Sequence, residues 1–223
     1  MHKETDNSLP VALEDRDQDA DERMFSPSVA RNSVPILAVL KRILPAHGVV
    51  LEIGCGTGEH AACFAAAMPN LTWLPSDPDA ASRASTASWV KFNGLVNVLA
   101  PLDIDVCSAQ WGVEKLAPFD TVVSINMIPI APWSATLGLI SGASRLLRSG
   151  GRLFLYGPFM HNGAHSAPSN AAFDRSLKDR NPSWGVRDIA ALENVAAASG
   201  LVLDEKIEMP ANNMSLVFSS GGP

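Results

Sequence analysis

The sequence predicts an α/β protein with a Rossmann-like, mostly parallel sheet of seven strands, an antiparallel last strand and helices on both faces. Short apolar runs alternate with helical patterns from residue 28 onward, and this alternation indicates parallel strands joined by crossover helices. The first run stops at a glycine-rich turn, Gly54–Gly58. The last two runs flank a short polar connection, which is typical of an antiparallel hairpin.

The length and composition predict one domain preceded by a tail. A chain of 223 residues with 47% hydrophobic residues is long enough for one α/β domain and too short for two catalytic domains. The run Glu14–Arg23 is acidic and nearly devoid of apolar residues, so burial cannot offset the entropy cost of ordering it. We therefore expect a disordered acidic tail over residues 1–23 and a single domain over residues 24–223.

The composition also excludes several classes of function. A net charge of −6 offers no basic surface for nucleic acid or an anionic membrane. The three cysteines form no C-x-x-C pair, which argues against a metal site and a disulfide framework. The N-terminus lacks the apolar core of a signal peptide, and no apolar run approaches the ~20 residues that span a bilayer. We expect a cytoplasmic protein that uses no metal, nucleic acid or membrane, and its oligomeric state stays open.

In the first half of the chain, each element is predicted from periodicity and stop signals. Helical spacing of apolar residues predicts a leading helix over residues 28–44. Val49–Ile53 is a β-branched run that indicates a buried parallel strand. The remaining elements are a helix over 60–67, a strand over 71–77, a helix over 79–92 closed by Asn93-Gly94, and a third strand over 96–101.

In the second half, the same reasoning predicts a fourth strand over 119–126, a helix over 133–147 and a fifth strand over 152–158. A Ser-Gly-Gly turn at 149–151 separates that helix from the fifth strand. Residues 159–185 are predicted to be a loop with one short helix near 170–178. A helix over 188–199 then leads to the hairpin strands over 201–209 and 214–219.

The glycine turn and three acids after successive strands predict the kind of cofactor. The dinucleotide fingerprint G-x-G-x-x-G would need glycine where this chain has Glu59. Since a carboxylate repels a diphosphate, the pattern from Glu52 to Gly58 favours a cofactor with a cationic head. Asp77 can accept hydrogen bonds from both hydroxyls of a ribose, and Asp103 with Ile104 can bind and cover an adenine.

These residues resemble the class I methyltransferases over about residues 25–220. The resemblance implies S-adenosylmethionine as cofactor and a sheet of seven strands with a reversed last strand. It implies the following cofactor-binding residues: Glu52, Gly54, Cys55, Gly56, Gly58, His60, Asp77, Pro78, Asp103, Ile104, Asn126 and Met127.

Six further motifs resemble the family that includes the methyltransferase-like 26 proteins. They are Arg31-Asn32, Gly56–His60, Asn126–Ile128 with Pro132-Trp133, Tyr156–Phe159, Pro168–Asn170 and Met209–Asn213. One departure is that Pro129 stands where that family tends to have a histidine between two isoleucines. A base at that position is therefore not available to this chain.

The methyl acceptor must approach over the ends of the fourth and fifth strands. Substrate-binding candidates there and in neighbouring motifs are Arg31, Asn32, Trp133, Tyr156, Phe159, Asn170 and Asn212, and candidates for a catalytic role are Asn126, Tyr156 and His165. In-line methyl transfer gains much of its rate from alignment, so a base is optional. Trp133 and Phe159 also suit simple packing, and most loop histidines are merely solvated.

The sequence as a whole predicts an S-adenosylmethionine-dependent methyltransferase that acts on a small-molecule acceptor. No stacking aromatic follows the fourth strand at Asn126–Pro129 and no basic stripe is present, so a nucleobase substrate is disfavoured. Two alternatives stay open. One is an NAD-dependent oxidoreductase on the same fold, and the other is a non-catalytic module that binds the cofactor or a partner.

Overall fold

The computed structural model describes residues 21–221, so most of the predicted tail lies outside the described residues. Near the predicted domain boundary, the guanidinium of Arg23 lies 3.7 Å from the ring centroid of Phe92. In chain order the elements are α1 (Pro27–Ile43), β1 (Gly48–Ile53), α2 (Glu59–Ala67), β2 (Leu71–Ser76), α3 (Ala80–Phe92), β3 (Phe119–Ile125), α4 (Trp133–Leu146), β4 (Leu147–Gly157), β5 (Phe159–His161), β6 (Ala164–His165), α5 (Pro168–Arg180), β7 (Arg187–Asp188), α6 (Ile189–Ala198), β8 (Leu201–Met209) and β9 (Asn213–Ser220).

The central sheet has six strands in the order β2-β1-β3-β4-β9-β8. Strands β1 to β4 are parallel, and β9 runs antiparallel to both of its neighbours. Leu51 in the middle of β1 lies opposite Leu74 on one side and Val122 on the other. The predicted α/β class, the mostly parallel sheet and the antiparallel last strand are confirmed.

The prediction of seven strands was wrong, because residues 96–101 do not form a full strand. Val98 and Leu102 make only isolated bridges to β2. The N–H of Leu99 donates to the carbonyl of Trp73, but the next donor is Leu102, which bonds to Pro75. Pro75 and Pro101 have no N–H, so the pairing slips by one residue there and the ladder is broken.

Helices cover both faces of the sheet, as predicted. Because side chains alternate along a strand, Val50 and Leu51 of β1 enter different hydrophobic clusters. Val50 packs with α1 and α2 through residues such as Leu40 and Phe64. Leu51 packs with α4 and α6 through residues such as Leu139 and Leu192. The central strands are therefore buried on both faces, which explains their continuous apolar runs.

Two regions differ from the sequence expectation in detail. The Ser-Gly-Gly segment at 149–151 lies within β4 as an insertion in the ladder, where the register jumps from Phe119↔Leu147 to Thr121↔Arg152. The region predicted as a loop with a short helix holds α5 and a small sheet in the order β6-β5-β7. Strands of two or three residues are too short to show periodicity, so the sequence could not indicate them.

None of the helices within residues 21–221 combines the length and the apolar character needed to cross a membrane.

Helix α4 packs directly on the segment that follows residues 96–101, the predicted third strand. A Cβ placed on Gly138 would lie 2.0 Å from the carbonyl oxygen of Val106. We predict that Gly138→Ala lowers the free energy of unfolding by about 1–3 kcal/mol, as overpacking does, despite the better helix propensity of alanine. Urea unfolding measures it, with Ser141→Ala on the exposed face of α4 as the control. A Gly138→Ala variant as stable as the control would contradict this packing.

Candidate functional site

The turn after β1 is built from three glycines in the left-handed region. Gly54, Gly56 and Gly58 have φ angles of 75°, 56° and 83°, which non-glycine residues rarely adopt. A Cβ on Gly58 would also lie 2.5 Å from Cα of Thr86. Helix α3 therefore packs against the turn at a distance that only glycine allows.

Hydrogen bonds connect this turn to the end of β2. The N–H groups of Gly54 and Cys55 both donate to the carbonyl of Ser76, each at 2.9 Å. The N–H of Gly56 donates to Oδ2 of Asp77 at 3.0 Å, and the N–H of Asp79 donates to Oδ1 at 2.9 Å. The Asp77 carboxylate is thus held in one orientation at the carboxyl edge of the sheet.

A cleft of about 680 Å³ opens at this edge. Nine of the predicted cofactor-binding residues are among its lining residues: Gly54, Cys55, Gly56, His60, Asp77, Pro78, Ile104, Asn126 and Met127. Open α/β sheets bind ligands at this edge, and the volume lies in the range of small-molecule sites. The structure therefore brings together most of the residues that the sequence analysis assigned to a cofactor.

Glu52 lies behind the turn and does not line the cleft. Its side chain is 1% exposed and accepts a hydrogen bond from Nε1 of Trp73 at 2.7 Å. Burial raises the pKa of this carboxyl group to about 7, and the nearby charge of Asp77 acts in the same direction. Glu52 therefore supports the turn from within the core, and direct contact with a cofactor stays a prediction.

The structure places the third predicted acid, Asp103, outside the cleft lining. Its side chain is 68% exposed and forms an ion pair with Arg83 at 3.3 Å. Asp105, two residues on, lines the cleft together with Ile104, and its Oδ1 accepts a hydrogen bond from the N–H of Cys107 at 2.8 Å. The sequence analysis missed Asp105, although the repeated acid in Asp103-Ile104-Asp105 was a signal for it.

Buried polar groups connect the cleft to α1. His60 lines the cleft, is 7% exposed and has its Nε2 2.8 Å from Oδ1 of Asn32. The side chains of Asn32 and Asn213 lie near the hydroxyl of Tyr156 and act to lower its pKa, against the larger effect of burial. Burial lowers the pKa of His60 to about 4 and raises that of Tyr156. His60 is therefore neutral at pH 7.

None of the seven predicted substrate-binding residues lines the cleft. Phe159 is 2% exposed within the core, and Trp133 packs against that same core. His165 lies 3.4 Å from Asp174. The other five lie outside the lining as well. Arg31 is exposed on α1, Asn32 bonds to His60, Tyr156 is buried, and Nδ2 of Asn170 donates to the carbonyl of Asn212 at 2.9 Å. Asn126, at a positive φ of 57°, does line the cleft.

Trp184 lines the cleft and was missed because it lies in a predicted loop. The N–H of Gly185 donates to the carbonyl of Pro129 at 2.9 Å. Arg187 donates to the carbonyl of Ala131 at 2.8 Å, and Asp174 accepts from the N–H of Val186 at 2.8 Å. These bonds hold the segment around Trp184 against the loop that follows β3, and nothing in the local sequence indicates them.

The titratable groups in the cleft are acidic or neutral. Asp77, Asp79 and Asp105 line it, and no lysine or arginine does so among residues 21–221. Burial raises the pKa of the Cys55 thiol, so Cys55 is not a nucleophile at neutral pH. The arrangement suits a cofactor without phosphate groups.

Comparison with protein families gives one match. The family model described as "Protein of unknown function (DUF938)" matches residues 23–220. The match covers all the described helices and strands.

Solved methyltransferase structures share the fold. An O-methyltransferase family protein from Burkholderia thailandensis superimposes with a TM-score of 0.73 at 17% identity, over 88% of this chain and 58% of that chain. The S-adenosylmethionine-dependent methyltransferase SibL gives 0.71 at 19%, over 87% and 56%. CalO1, a methyltransferase in calicheamicin biosynthesis in its SAH-bound form, gives 0.65 at 18%, over 83% and 53%. The chain spans a little over half the length of each, and at these identities the likeness establishes the methyltransferase-type Rossmann-like fold.

The buried Glu52 carboxyl group makes stability depend on pH. Its pKa is about 7 in the folded protein against an ordinary 4.5, so between pH 4.5 and 7 the folded state binds more protons and stability from this group falls as pH rises. His60, with its pKa lowered to about 4 from 6.5, contributes the opposite slope between pH 4 and 6.5. The two slopes offset each other in the wild type.

We therefore predict that Glu52→Gln, which keeps an acceptor for Trp73, gains stability relative to the wild type as pH rises. The gain accumulates between pH 4.5 and 7 and reaches about 3 kcal/mol, at 1.36 kcal/mol per pKa unit. Urea unfolding of both proteins from pH 4 to 8 measures it. Two curves that stay parallel over this range would contradict a buried, protonated Glu52.

Proposed function

We propose that this chain, which belongs to the DUF938 family, is an S-adenosylmethionine-dependent methyltransferase that acts on a small-molecule acceptor. The observation that carries the proposal is the cleft at the carboxyl edge of a methyltransferase-type sheet, with a fixed carboxylate at Asp77 and no cationic side chain in its lining among residues 21–221. The DUF938 description gives no activity, so the chemistry is argued from the site.

The contacts of Glu59 argue against a dinucleotide. Its Oε2 accepts from the N–H of Ser26 at 2.6 Å and from the hydroxyl of Thr57 at 3.0 Å. The carboxylate therefore lies at the first turn of α2, where a pyrophosphate would have to bind. The N–H of Gly56 is also already bonded to Asp77. Because the anion site of a nucleotide-binding fold is filled by the chain's own carboxylates, an NAD-dependent oxidoreductase is disfavoured.

The cleft fits a cofactor that combines an adenosine with an amino-acid head. Asp77 would accept from the ribose hydroxyls, and Asp105 and Ile104 would hold and cover the adenine. The glycine turn, Asn126 and Met127 would surround the amino-acid head. When bound, the cofactor supplies an electrophilic methyl group on a sulfonium. The chain's own part is to align the acceptor with that methyl group and to exclude water, which are large sources of rate in displacement reactions.

Three finer assignments belong to the proposal. The quoted motifs support placing the chain with the methyltransferase-like 26 proteins. The cleft volume of about 680 Å³ and the apolar side chains in its lining, among them Val29, Ile130 and Trp184, support a small-molecule acceptor. The net charge of −6 supports an acceptor that is not nucleic acid. A cytoplasmic location remains the expectation from composition.

Calorimetric titration of the protein with S-adenosylmethionine, S-adenosylhomocysteine and NAD tests the assignment. We expect micromolar binding of the first two and none of NAD. Binding of NAD alone would replace the methyltransferase with an oxidoreductase. Binding of S-adenosylmethionine without turnover of any acceptor would favour a non-catalytic module, and no binding at all would contradict the proposal.

The placement of the acids gives a sharper prediction. Asp77→Ala should weaken S-adenosylhomocysteine binding about 100-fold, and Asp105→Asn about tenfold, since hydrogen bonds to charged groups contribute about 1.5–3 kcal/mol each. Asp103→Asn is the matched control, and its affinity should stay within about twofold because that exposed side chain pairs with Arg83. A larger loss for Asp103→Asn than for Asp105→Asn would reverse the assignment of the adenine-binding acid.

A further inference from the structure

One wall of the cleft comes from the start of α1 and carries no charge. Ser26, Ser28 and Val29 line it, and the two serine hydroxyls are hydrogen-bonded to each other at 2.7 Å. His60 lies on the same side, since its ring bonds to Asn32 of α1. The acids of the lining are instead Asp77 and Asp79, which follow β2, and Asp105, which follows the predicted strand over residues 96–101. The α1 side therefore offers neutral groups, of which His60 is the only titratable one among the described lining residues there.

The tautomer of His60 follows from its neighbours. Oδ1 of Asn32 can only accept, so Nε2 of His60 must carry the proton of that 2.8 Å hydrogen bond. Stacking on Phe64, at 5.3 Å between ring centroids and 17° between planes, fixes the ring itself. Nδ1 is therefore left as a lone-pair acceptor.

This acceptor is available in the cleft. Among residues 21–221, Nδ1 of His60 has no hydrogen-bond partner. His60 lines the cleft although it is only 7% exposed, and its Nδ1 is not one of the fully buried atoms without a partner, so this nitrogen reaches the accessible surface. A neutral, oriented imidazole with one free lone pair binds a donor group, and it cannot bind a carboxylate, which is also an acceptor. The carboxylate of the cofactor head is therefore not its ligand.

We propose that Nδ1 of His60 accepts a hydrogen bond from the nucleophilic hydroxyl, thiol or amine of the methyl acceptor, and that this acceptor carries no negative charge. The proposal rests on the methyltransferase function proposed above and names the acceptor class for that site. An anionic acceptor would have to lose its hydration and enter a cleft that is lined by three aspartates and, among residues 21–221, by no cation. Such a transfer is costly for a charged group.

The proton balance agrees with a weakly basic histidine. The acceptor's heteroatom uses a lone pair to form its bond to the methyl carbon, and the sulfur keeps the electron pair of the bond that breaks. The methylated heteroatom then bears a positive charge and is far more acidic than before, so it passes its proton to Nδ1, and the imidazolium releases it to water. A pKa of about 4 for His60 suits this late proton transfer and keeps the ring neutral beforehand.

Nitrogen-15 NMR of histidine-labelled protein tests the proposal without turnover. At pH 7, His60 should show one neutral tautomer with the proton on Nε2. Phenol, a neutral hydroxyl donor, should shift the Nδ1 resonance in a saturable manner, both in the free protein and with S-adenosylhomocysteine present. Anisole, which lacks the donor, and 4-hydroxybenzoate, which adds an anion, should not. A protonated or Nδ1–H imidazole, no shift with phenol, or an equal shift with 4-hydroxybenzoate would each overturn the proposal.

Two variants separate binding by Nδ1 from a structural role of the ring. His60→Gln keeps a donor to Asn32 and removes Nδ1, so it should weaken phenol binding about three- to tenfold with little change in S-adenosylhomocysteine affinity. Asn32→Leu should release the tautomer and give a mixture of both forms. Phenol affinity that is unchanged in His60→Gln would overturn the proposal.

Failure of this proposal and failure of the proposed function give different results. If S-adenosylhomocysteine does not bind while phenol still shifts Nδ1 in the free protein, the methyltransferase assignment has failed and the acceptor site stands. If S-adenosylhomocysteine binds and by itself shifts Nδ1 of His60 as a donor would, the histidine serves the ammonium of the cofactor, and only the acceptor proposal has failed.

Discussion

The close contact between the turn after β1 and helix α3 is the constraint on which the rest of the site depends. With Gly58 at 2.5 Å from Cα of Thr86, measured from where a Cβ would lie, no other residue fits there. The parallel pairing of β1 with β2 places the end of β2 beside the same turn, so that Ser76 accepts two of the turn's N–H groups and Asp77 accepts a third. The position of the carboxylate is thus a consequence of backbone packing.

A buried carboxyl group supports that turn from the side of the core. Glu52 has its carboxyl group in the core, bonded to Trp73, at the point where β1 enters the turn. A charged carboxylate is costly at this depth, which explains why its pKa is raised to about 7. The acid that the sequence pattern assigns to the cofactor therefore acts here through the protein's own core, one layer behind the surface that a ligand would touch.

The sequence predicted well the features that depend on local backbone signals, and it predicted poorly the contacts between side chains of distant segments. Gly54–Gly58 and Asp77 were found because strand, turn and helix signals are local in the chain. The predicted strand over residues 96–101 is not a full strand, because Pro75 and Pro101 each remove an N–H donor from the same ladder. This effect appears only when the two segments are paired. Trp184 was missed because the bonds of Gly185 to Pro129 and of Arg187 to Ala131, which hold its segment, each join positions 56 residues apart, and no local pattern records such contacts.

The same division separates the two parts of the cleft. In the proposed function, adenosine recognition relies on strand ends and main-chain N–H groups, which belong to the fold, and the fold is shared with a solved structure at 17% identity. The recognition proposed on the α1 side relies on His60 of α2 and Asn32 of α1, which meet only in the folded protein. The carbonyl of Pro129 accepts a hydrogen bond from the N–H of Gly185, so the loop after β3 holds the segment of Trp184 in place. In the proposal, polar selectivity for the acceptor therefore depends on the α1 side, where the lone pair of His60 is the one titratable acceptor that is not acidic among the described residues of the lining.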